Sequence, residues 1–371
     1  MKKYVVPDYK NSVLNVTGSI LKHYGVKTEV SSLPLLDAEL AKGYRNVVLF
    51  LVDAMGEFAI KKFLSKKAVL NRDKRASITS VFPSTTVSAT TAVISGKSPI
   101  ESGWIGWSQY FHEEAKTIIL FRNTDYYNDS TIINHPVAET ELKYQTIYSQ
   151  IEAMNPDVKT HELFPAFRTP EHDTVQKLCA TIIKTTQSLG KNFIYAYWDK
   201  LDTLMHEYGP ASQAVKLMVR EINNAYQHMI EVLTDDTIVI VIADHGQVAV
   251  KPLPLWNYPN LEATFLHKPS VESRMTAFFI KPEQRENFVS QFKKHFDKKY
   301  LLYPSDEVVK MGWFGFGTPH PRFREFIGDY LAIAISHYYF QLFEYPTVMK
   351  GQHAGILPDE MTVPLIIHSS K

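Results

Sequence analysis

The sequence predicts an α/β protein with a doubly wound, mostly parallel sheet flanked by helices. Three apolar runs have the length and the β-branched or aromatic composition of central strands covered on both faces, at residues 46–52, 192–198 and 237–242. Apolar residues recur at helical spacing over 212–233, directly before the third run. Such alternation of buried strands and helices is typical of sheets built from β-α-β units.

The remaining patterns predict further elements around these strands. In chain order they are an amphipathic helix over 11–24, a helix from Gly56 to Phe63, a short strand over 76–82, a segment of small and β-branched residues from Pro83 to Gly96, a strand over 117–121, a polar loop over 123–134, helices over 143–153 and 171–189, and strands over 329–335 and 363–367.

Residues 251–328 differ in character from the rest of the chain. They contain many prolines and aromatic residues, with one helical pattern over 283–296. The chain has 371 residues, more than a usual single domain, which leaves room for an insertion. We therefore assign 1–250 and 329–371 to the α/β core and 251–328 to a smaller cap or insertion.

Composition excludes several classes of protein. Hydrophobic residues make up 45% of the chain and charged residues 21%, which argues against a disordered, coiled-coil or fibrous protein. The formal net charge of +1 favours neither a nucleic-acid partner nor a membrane surface. The single cysteine, Cys179, excludes a disulfide within the chain and a thiol-rich metal site.

The N-terminal residues 1–8 include two lysines, but no apolar stretch of the kind found in signal peptides follows them. Nor does any apolar run approach the length of a membrane span. We therefore expect a cytoplasmic protein without a membrane or nucleic-acid partner, and the sequence leaves the oligomeric state open.

Acidic and imidazole side chains follow the predicted central strands. Open α/β sheets bind ligands beyond the carboxyl ends of their strands, so we expect these side chains to converge there. Asp202 and His206 are four residues apart, which places both on one face if their segment is helical. The full set is Asp53, Asp202, His206, Asp244, His245 and His353.

Six ligands suffice for two divalent metal ions with three ligands each. Carboxylate and imidazole ligands favour zinc first, with manganese or iron as alternatives. Other roles stay open for single residues. Asp53 and Asp244 could cap a helix or turn, Asp202 and His206 could form a solvated helical face, and His353 could be an ordinary loop histidine.

Thr85 and Thr86 supply hydroxyl groups at a predicted loop-to-helix junction. Free backbone N–H groups and the helix dipole favour an anionic phosphate at such a position. Metal coordination would lower the pKa of a hydroxyl group enough to make it a nucleophile. Either threonine could instead cap the helix.

These motifs together resemble the alkaline phosphatase superfamily, and most closely its type I phosphodiesterase and nucleotide pyrophosphatase branch. The resemblance covers most of the predicted core. The matching segments are the strand that ends at Asp53, Phe82-Pro83-Ser84-Thr85-Thr86 followed by Ser95-Gly96, Asp202-Thr203-Leu204-Met205-His206-Glu207-Tyr208-Gly209-Pro210, Asp244-His245-Gly246 and Gly351-Gln352-His353.

The resemblance implies roles for these residues. Thr86 takes the place of the family's nucleophile. Asp202, His206 and His353 would bind one metal ion, whereas Asp53, Asp244 and His245 would bind the other together with the Thr86 oxygen.

One position departs from the family pattern. Nucleotide pyrophosphatases have an asparagine a little beyond the nucleophile that helps to bind the phosphoryl oxygens, and Trp107 takes its place here. Ser108 and Gln109 are alternative donors. His320 is a further candidate for substrate binding, with a structural role in a proline-rich turn as the alternative.

The resemblance implies a metal-dependent phosphoester hydrolase that acts on a small-molecule phosphoester or nucleotide through a covalent phosphothreonine. A phosphodiesterase or nucleotide pyrophosphatase is expected first. The alternatives are a phosphomonoesterase or phosphonate hydrolase on the same scaffold, and a protein without catalytic activity that binds a metal or a nucleotide.

Overall fold

The computed structural model describes residues 4–344 and 348–369. Residues 1–3 of the N-terminal stretch considered above lie outside this range. The strands of the described residues are β1 (Asn46–Val52), β2 (Lys74–Thr79), β3 (Ser108–Phe111), β4 (Lys116–Ile119), β5 (Thr124–Asp125), β6 (Asn128–Ile132), β7 (Val158–Leu163), β8 (Lys191–Trp198), β9 (Thr237–Ile242), β10 (Val248–Ala249), β11 (Lys251–Pro254), β12 (Phe265–Val271), β13 (Met275–Ile280), β14 (Tyr300–Pro304), β15 (Tyr330–Ala334), β16 (Tyr338–Gln341), β17 (Gly351–Gln352) and β18 (Thr362–Ser369).

The helices alternate with these strands along most of the chain. They are α1 (Val13–His23), α2 (Pro34–Leu40), α3 (Glu57–Phe63), α4 (Val69–Arg72), α5 (Thr86–Ser95), α6 (Pro99–Ser102), α7 (Val137–Glu141), α8 (Ile147–Met154), α9 (Val175–Thr186), α10 (Lys200–Tyr208), α11 (Gln213–Val232), α12 (Pro259–Glu262), α13 (Arg285–Phe296), α14 (Ser305–Lys310), α15 (Phe323–Phe326) and α16 (Pro358–Met361).

The first sheet has the strand order β2-β18-β9-β1-β8-β7. Strands β7, β8, β1 and β9 pair in parallel, whereas β18 runs antiparallel between β9 and β2. The three predicted central strands are its three central parallel strands, and in β1 and β9 every residue is buried. The predicted α/β fold with a mostly parallel sheet flanked by helices is confirmed.

The register of this sheet explains why its strands are almost wholly apolar. Val47 lies between Phe193 on one neighbouring strand and Ile238 on the other, and all three are fully buried. Long helices cover the sheet, and α11 packs against α9, α3 and α4. Because neither face of the central strands contacts water, the polar alternation of a half-exposed strand is missing from them.

A second sheet has the order β14-β15-β13-β12-β3-β4-β5-β6, and its neighbours pair antiparallel. Its strands come from two parts of the chain, 108–132 and 265–334. It therefore includes β15, which we had placed with the core, and segments before residue 251. The domain division at 251–328 stays a prediction.

The loop predicted over 123–134 is wrong, because these residues contain β5 and β6. Both strands are polar and mostly solvent-accessible, so no apolar alternation identifies them in the sequence. They are held in place by pairing with β4 and with each other.

None of the helices in the described ranges is both long enough and apolar enough to cross a lipid bilayer.

Candidate metal centre

The carboxyl ends of neighbouring parallel strands form the floor of the centre. Asp53 directly follows β1, and Asp244 and His245 follow β9 after a single alanine. Because β1 and β9 pair in register, the residues that follow them emerge side by side. The backbone N–H groups of Ala54 and His245 both donate to Asp244 Oδ1, at 3.0 and 2.9 Å, which fixes this carboxylate.

Asp53, Asp244 and His245 form the first candidate ligand group. Each offers one ligand atom, and these atoms lie within 4.8 Å of one another. His245 Nε2 lies 3.4 Å from Asp53 Oδ1 and 3.5 Å from Asp244 Oδ2. All three side chains are buried.

Asp202, His206 and His353 form the second group, also with ligand atoms within 4.8 Å of one another. Asp202 and His206 occupy one face of α10, and His206 Nε2 lies 3.3 Å from Asp202 Oδ2. His353 follows β17, with its Nε2 3.9 Å from Asp202 Oδ1. The structure thus brings together all six residues predicted from the sequence, in the two groups that the resemblance implied.

Backbone carbonyl groups orient the three imidazole rings. The Nδ1 atoms of His206, His245 and His353 lie 2.9, 3.1 and 3.3 Å from the carbonyl oxygens of Gly351, Gly246 and Ser84. A carbonyl oxygen can only accept, so Nδ1 carries the proton and Nε2 is left with its lone pair. Histidines that bind metal ions are commonly held in this way.

Two buried carboxylate oxygens support the interpretation of the first group as a metal site. Asp53 Oδ1 and Asp244 Oδ2 are enclosed, yet neither has a hydrogen-bond partner among the described residues. A buried acceptor without a donor is costly unless a cation satisfies it. Oxygen and imidazole nitrogen ligands fit a borderline divalent ion such as zinc.

The pKa values of the carboxyl groups shift in opposite directions in the two ligand groups. Burial and the neighbouring carboxylates of Asp244 and Asp202 raise the pKa of Asp53 well above its ordinary value. Burial likewise raises the pKa of Asp244, although His245 opposes the shift. Burial opposes ionisation of Asp202 as well, but His206 and His353 outweigh it and lower the pKa of this carboxyl group. Such crowding of acidic groups is stable when positive charge lies between them.

The same crowding acts on the histidines. Burial works to lower the pKa of His206, but the Asp202 carboxylate dominates and raises it. Burial together with nearby His245 lowers the pKa of His353 well below its ordinary value, which favours the neutral imidazole. A neutral imidazole is the form that binds a metal ion.

Thr86 and Thr85 point to different partners. Thr86 is the first residue of α5, and its Oγ1 lies 3.1 Å from His245 Nε2 and 3.4 Å from Asp53 Oδ2. Thr85 is the N-cap residue, but its hydroxyl group makes no capping hydrogen bond and donates instead to Glu272 at 2.7 Å. The Thr86 hydroxyl therefore lies at the first ligand group, beside the positive end of a helix.

Close packing explains the glycines in two of the motifs. A Cβ atom on Gly246 would lie 2.1 Å from the carbonyl oxygen of Asp359, and one on Gly351 would lie 2.4 Å from that of Met205. Both distances are far below van der Waals contact. The glycines that follow His245 and precede His353 thus permit loops beside the ligands to pack against neighbouring backbone.

An open cavity of about 550 Å³ adjoins the centre. Thr86, Asp202, His206 and His353 lie in its wall, so the second ligand group and the Thr86 hydroxyl group are accessible to a small molecule. Aromatic side chains form much of the remaining wall, and they are Trp107, Tyr126, Tyr127, Tyr339, Phe340 and Phe343.

The four candidate substrate-binding residues lie in different places. Trp107 lines the cavity. Ser108 begins β3 and is buried, and the Gln109 side chain bonds to the backbone of Ile105 and Gly103 at 2.8 and 2.9 Å. His320 packs beside Gly103. The latter three do not line this cavity among the described residues, and a substrate contact for them stays a prediction.

Sequence reasoning missed three residues that contact the candidate site. Tyr197, in β8, donates a short hydrogen bond to Asp53 Oδ2, and Gln247 donates one to Asp202 Oδ1. Glu272 accepts hydrogen bonds from Thr85 and from the backbone N–H of Trp107. Tyr197 and Gln247 are near predicted ligands in the chain, but nothing in the sequence distinguishes Glu272 from other acidic residues.

The fold and the site define an alkaline phosphatase-like α/β protein with two candidate metal sites. A family model described as type I phosphodiesterase / nucleotide pyrophosphatase matches residues 47–354. The chain belongs to this family, which confirms the resemblance seen in its motifs. The family indicates a phosphoester hydrolase, and its members bind divalent metal ions. No curated protein matches the sequence.

Solved structures with a similar fold include two kinds of protein. Murine ectonucleotide pyrophosphatase / phosphodiesterase 5 matches with a TM-score of 0.65 and 15% identity, over 87% of this chain and 88% of that one. An inactive form of the murine protein in complex with AMP also matches, with a TM-score of 0.64 and 15% identity over 87% of each chain. Phosphonoacetate hydrolase from Sinorhizobium meliloti 1021, in complex with phosphonoformate, matches with a TM-score of 0.63 and 13% identity, over 88% and 90% of the two chains.

Proposed function

We propose that this protein is a two-metal phosphodiesterase or nucleotide pyrophosphatase in which Thr86 is the nucleophile. The observation that carries the proposal is the position of Thr86 Oγ1, 3.1 Å from His245 Nε2 and within reach of Asp53, at the start of a helix. No other hydroxyl group among the described cavity residues has a contact of this kind with a ligand group.

Each ligand group would hold one divalent ion, with zinc as the first expectation and manganese or iron as alternatives. When bound, the ions supply positive charge for the entering oxygen, the leaving oxygen and the phosphoryl group. Asp53, Asp244 and His245 would hold one ion beside Thr86, and Asp202, His206 and His353 would hold the other.

The reaction forms and breaks one bond to phosphorus in each of two steps. Thr86 Oγ1 attacks phosphorus and its proton passes to water, while the bond to the leaving oxygen breaks and that oxygen takes up a proton. Water then attacks the phosphothreonine, which restores the Thr86 hydroxyl and releases the second product. The N–H groups at the start of α5 face the phosphoryl oxygens in both steps.

The cavity supports a substrate of modest size with a planar group. Its volume of about 550 Å³ falls in the range of small-molecule sites, and its aromatic wall suits a base or another flat substituent. The structure of a similar protein in complex with AMP supports a nucleotide as this substituent. The cytoplasmic location expected from the sequence remains part of the proposal.

A substitution at Thr86 tests the proposal. The metal-loaded Thr86→Ala protein should lose at least about 10³-fold in kcat/KM for bis-p-nitrophenyl phosphate, since it lacks the nucleophile. Thr85→Val is the matched control, because Thr85 is the neighbouring hydroxyl and bonds to Glu272 instead. Equal activity of Thr86→Ala and the wild type would contradict the proposal.

A phosphonate hydrolase is the second candidate function. The similar fold of phosphonoacetate hydrolase supports it. A substrate panel separates the two, since a diesterase should turn over bis-p-nitrophenyl phosphate and UDP-sugars or dinucleotides faster than phosphonoacetate. Preference for phosphonoacetate would favour the second candidate, and preference for p-nitrophenyl phosphate would favour a phosphomonoesterase. A protein that loads metal but hydrolyses none of these would be a binding protein.

A further inference from the structure

Glu272 is a buried acidic residue in the cavity wall for which the proposed reaction has no role. It lies in the turn between β12 and β13, in the second sheet, and its exposed fraction is only 9%. The same cavity contains Thr86 and the second ligand group. A carboxyl group buried to this extent is unusual, because an isolated buried charge is strongly unfavourable.

Both hydrogen bonds that the Glu272 carboxyl group accepts end on one oxygen. The Thr85 hydroxyl group donates to Oε1 at 2.7 Å, and the backbone N–H of Trp107 donates to the same atom at 2.8 Å. These two donors fix the carboxyl group in place. The other oxygen, Oε2, has no hydrogen-bond donor among the described residues. Glu272 itself lines the cavity.

The contact with Thr85 links this carboxyl group to the residue that precedes the proposed nucleophile, and both Glu272 and Thr86 line the same cavity. Thr85 is the N-cap of α5 and immediately precedes Thr86. The Glu272 carboxyl group also interacts electrostatically with His245 and His206, one residue from each ligand group. It therefore adds negative charge to a centre that otherwise attracts anions.

The Glu272 carboxyl group ionises near neutral pH. Burial raises its pKa to about 7, and the hydrogen bonds from Thr85 and Trp107 limit that rise. At pH 8.5 the group is therefore mostly an anion. A phosphodiester then carries one negative charge, whereas a phosphomonoester, with a second pKa near 6, carries about two.

We propose that Glu272 is a specificity-determining residue that disfavours a second negative charge on the phosphoryl group, so that the site selects phosphodiesters over phosphomonoester dianions. The inference rests on the proposed phosphoryl-transfer function, and it specifies the charge that the preferred substrate carries. Like charges repel more strongly in a partly buried site than in bulk water. Selection by a repulsive group is a common way to reject a competing ligand.

Glu272→Gln removes the charge and keeps an oxygen that can accept from Thr85 and Trp107. At pH 8.5, the ratio of kcat/KM for p-nitrophenyl phosphate to kcat/KM for bis-p-nitrophenyl phosphate should rise about tenfold in this variant. Inhibition of diester hydrolysis by inorganic phosphate should strengthen by a similar factor. Glu272→Asp keeps the charge, so its ratio should stay closer to that of the wild type.

Glu207→Gln is the matched control. Glu207 lines the same cavity but is exposed, so water screens its charge and the ratio should change less than about twofold. Thermal unfolding of each variant verifies that it is folded. An unchanged substrate ratio and unchanged phosphate inhibition in folded Glu272→Gln would overturn the inference while leaving the proposed function intact.

The wild-type protein gives an independent measurement that needs no variant. Methyl phosphate is a dianion at pH 8.5, and dimethyl phosphate is a monoanion of similar shape. The inference predicts that the two inhibit diester hydrolysis within about tenfold of each other, because Glu272 offsets the attraction of the cationic centre for the second charge. Much stronger inhibition by methyl phosphate would overturn it. Failure of the wild type to hydrolyse either nitrophenyl ester would instead contradict the proposed function, and this inference with it.

Discussion

The imidazole rings of His245 and His353 stack with their centroids 3.9 Å apart and their planes at 21°. His245 belongs to the first ligand group and His353 to the second, so this contact joins the two groups. Burial and the neighbouring His245 ring lower the pKa of His353 well below its ordinary value. The His353 ring is therefore held in the neutral form that can bind a metal ion.

Metal content should follow this division into two groups. The wild-type protein should contain about two transition-metal equivalents per chain. His353→Ala should contain about one, since it removes one of three ligands from the second group and leaves the first complete. Elemental analysis after dialysis measures both values.

His228→Ala is the control for that measurement, because His228 is exposed on α11 and belongs to neither ligand group. A wild-type content of one equivalent that His353→Ala does not change would contradict the two-site proposal.

The hydrogen bond from Tyr197 to Asp53 should increase the affinity of the first ligand group for a metal ion. It orients Asp53, whose other oxygen, Oδ1, lies nearest His245 Nε2. Partners of this kind typically change metal affinity by about 10- to 100-fold. Tyr197→Phe should therefore weaken binding by at least about tenfold in competition with a chelator.

Tyr148→Phe provides the comparison, since the buried Tyr148 hydroxyl group has no hydrogen-bond partner among the described residues. Its metal affinity should match that of the wild type. The role of Tyr197 would be disproved by the same affinity in both variants.

The sequence predicted the sheet and the first ligand group for one physical reason. Strands buried on both faces are continuous apolar runs, and the polar residues that end such runs meet at one edge of a parallel sheet. Asp53 and Asp244 could be predicted to lie together because β1 and β9 are neighbours of this kind. His353 lies in a loop after a two-residue strand, and only its motif identified it.

Other features depend on contacts between distant parts of the chain. Glu272 reaches the site because β12 pairs with β3, an interaction that no local pattern encodes. The choice between Thr85 and Thr86 depends on where α5 begins, since a shift of one residue turns a side chain by about 100° around the helix. The polar hairpin of β5 and β6 has no buried face in the sequence to reveal it.

Metal affinity should fall as the pH falls below neutral. The pKa of Asp53 and that of Asp244 are both raised in the metal-free protein, and so is that of His206. Each group must lose its proton to bind a metal ion, and a raised pKa means that it holds the proton to a higher pH. Chelator competition at pH 8 and pH 6 should therefore show much tighter binding at pH 8, and equal affinities would contradict the assignment of these ligands.

A buried ion pair between Arg274 and Glu360 connects the second sheet to the loops that carry His245 and His353. Two nitrogens of Arg274 donate to the two Glu360 oxygens at 2.7 and 2.6 Å, and both side chains are fully buried. Glu360 also accepts from the backbone N–H of Gly355 at 2.8 Å, two residues beyond His353. Its own carbonyl oxygen accepts from the N–H of Gly246, also at 2.8 Å.

Loss of the Glu360 charge should therefore destabilise the whole protein. Glu360→Gln leaves the Arg274 charge buried without its counter-ion, and the free energy of unfolding in urea should fall by about 3–5 kcal/mol. Asp306→Asn is the control, because Asp306 also pairs with an arginine, Arg324, at a similar closest distance of 2.9 Å, but this pair is exposed. Asp306→Asn should lower the free energy of unfolding by no more than about 1 kcal/mol, because water screens the charges of the pair. An equal fall in the free energy of unfolding of the two variants would show that burial adds nothing to the Arg274–Glu360 pair. It would also contradict the role of this pair in stabilising the loop that carries His353.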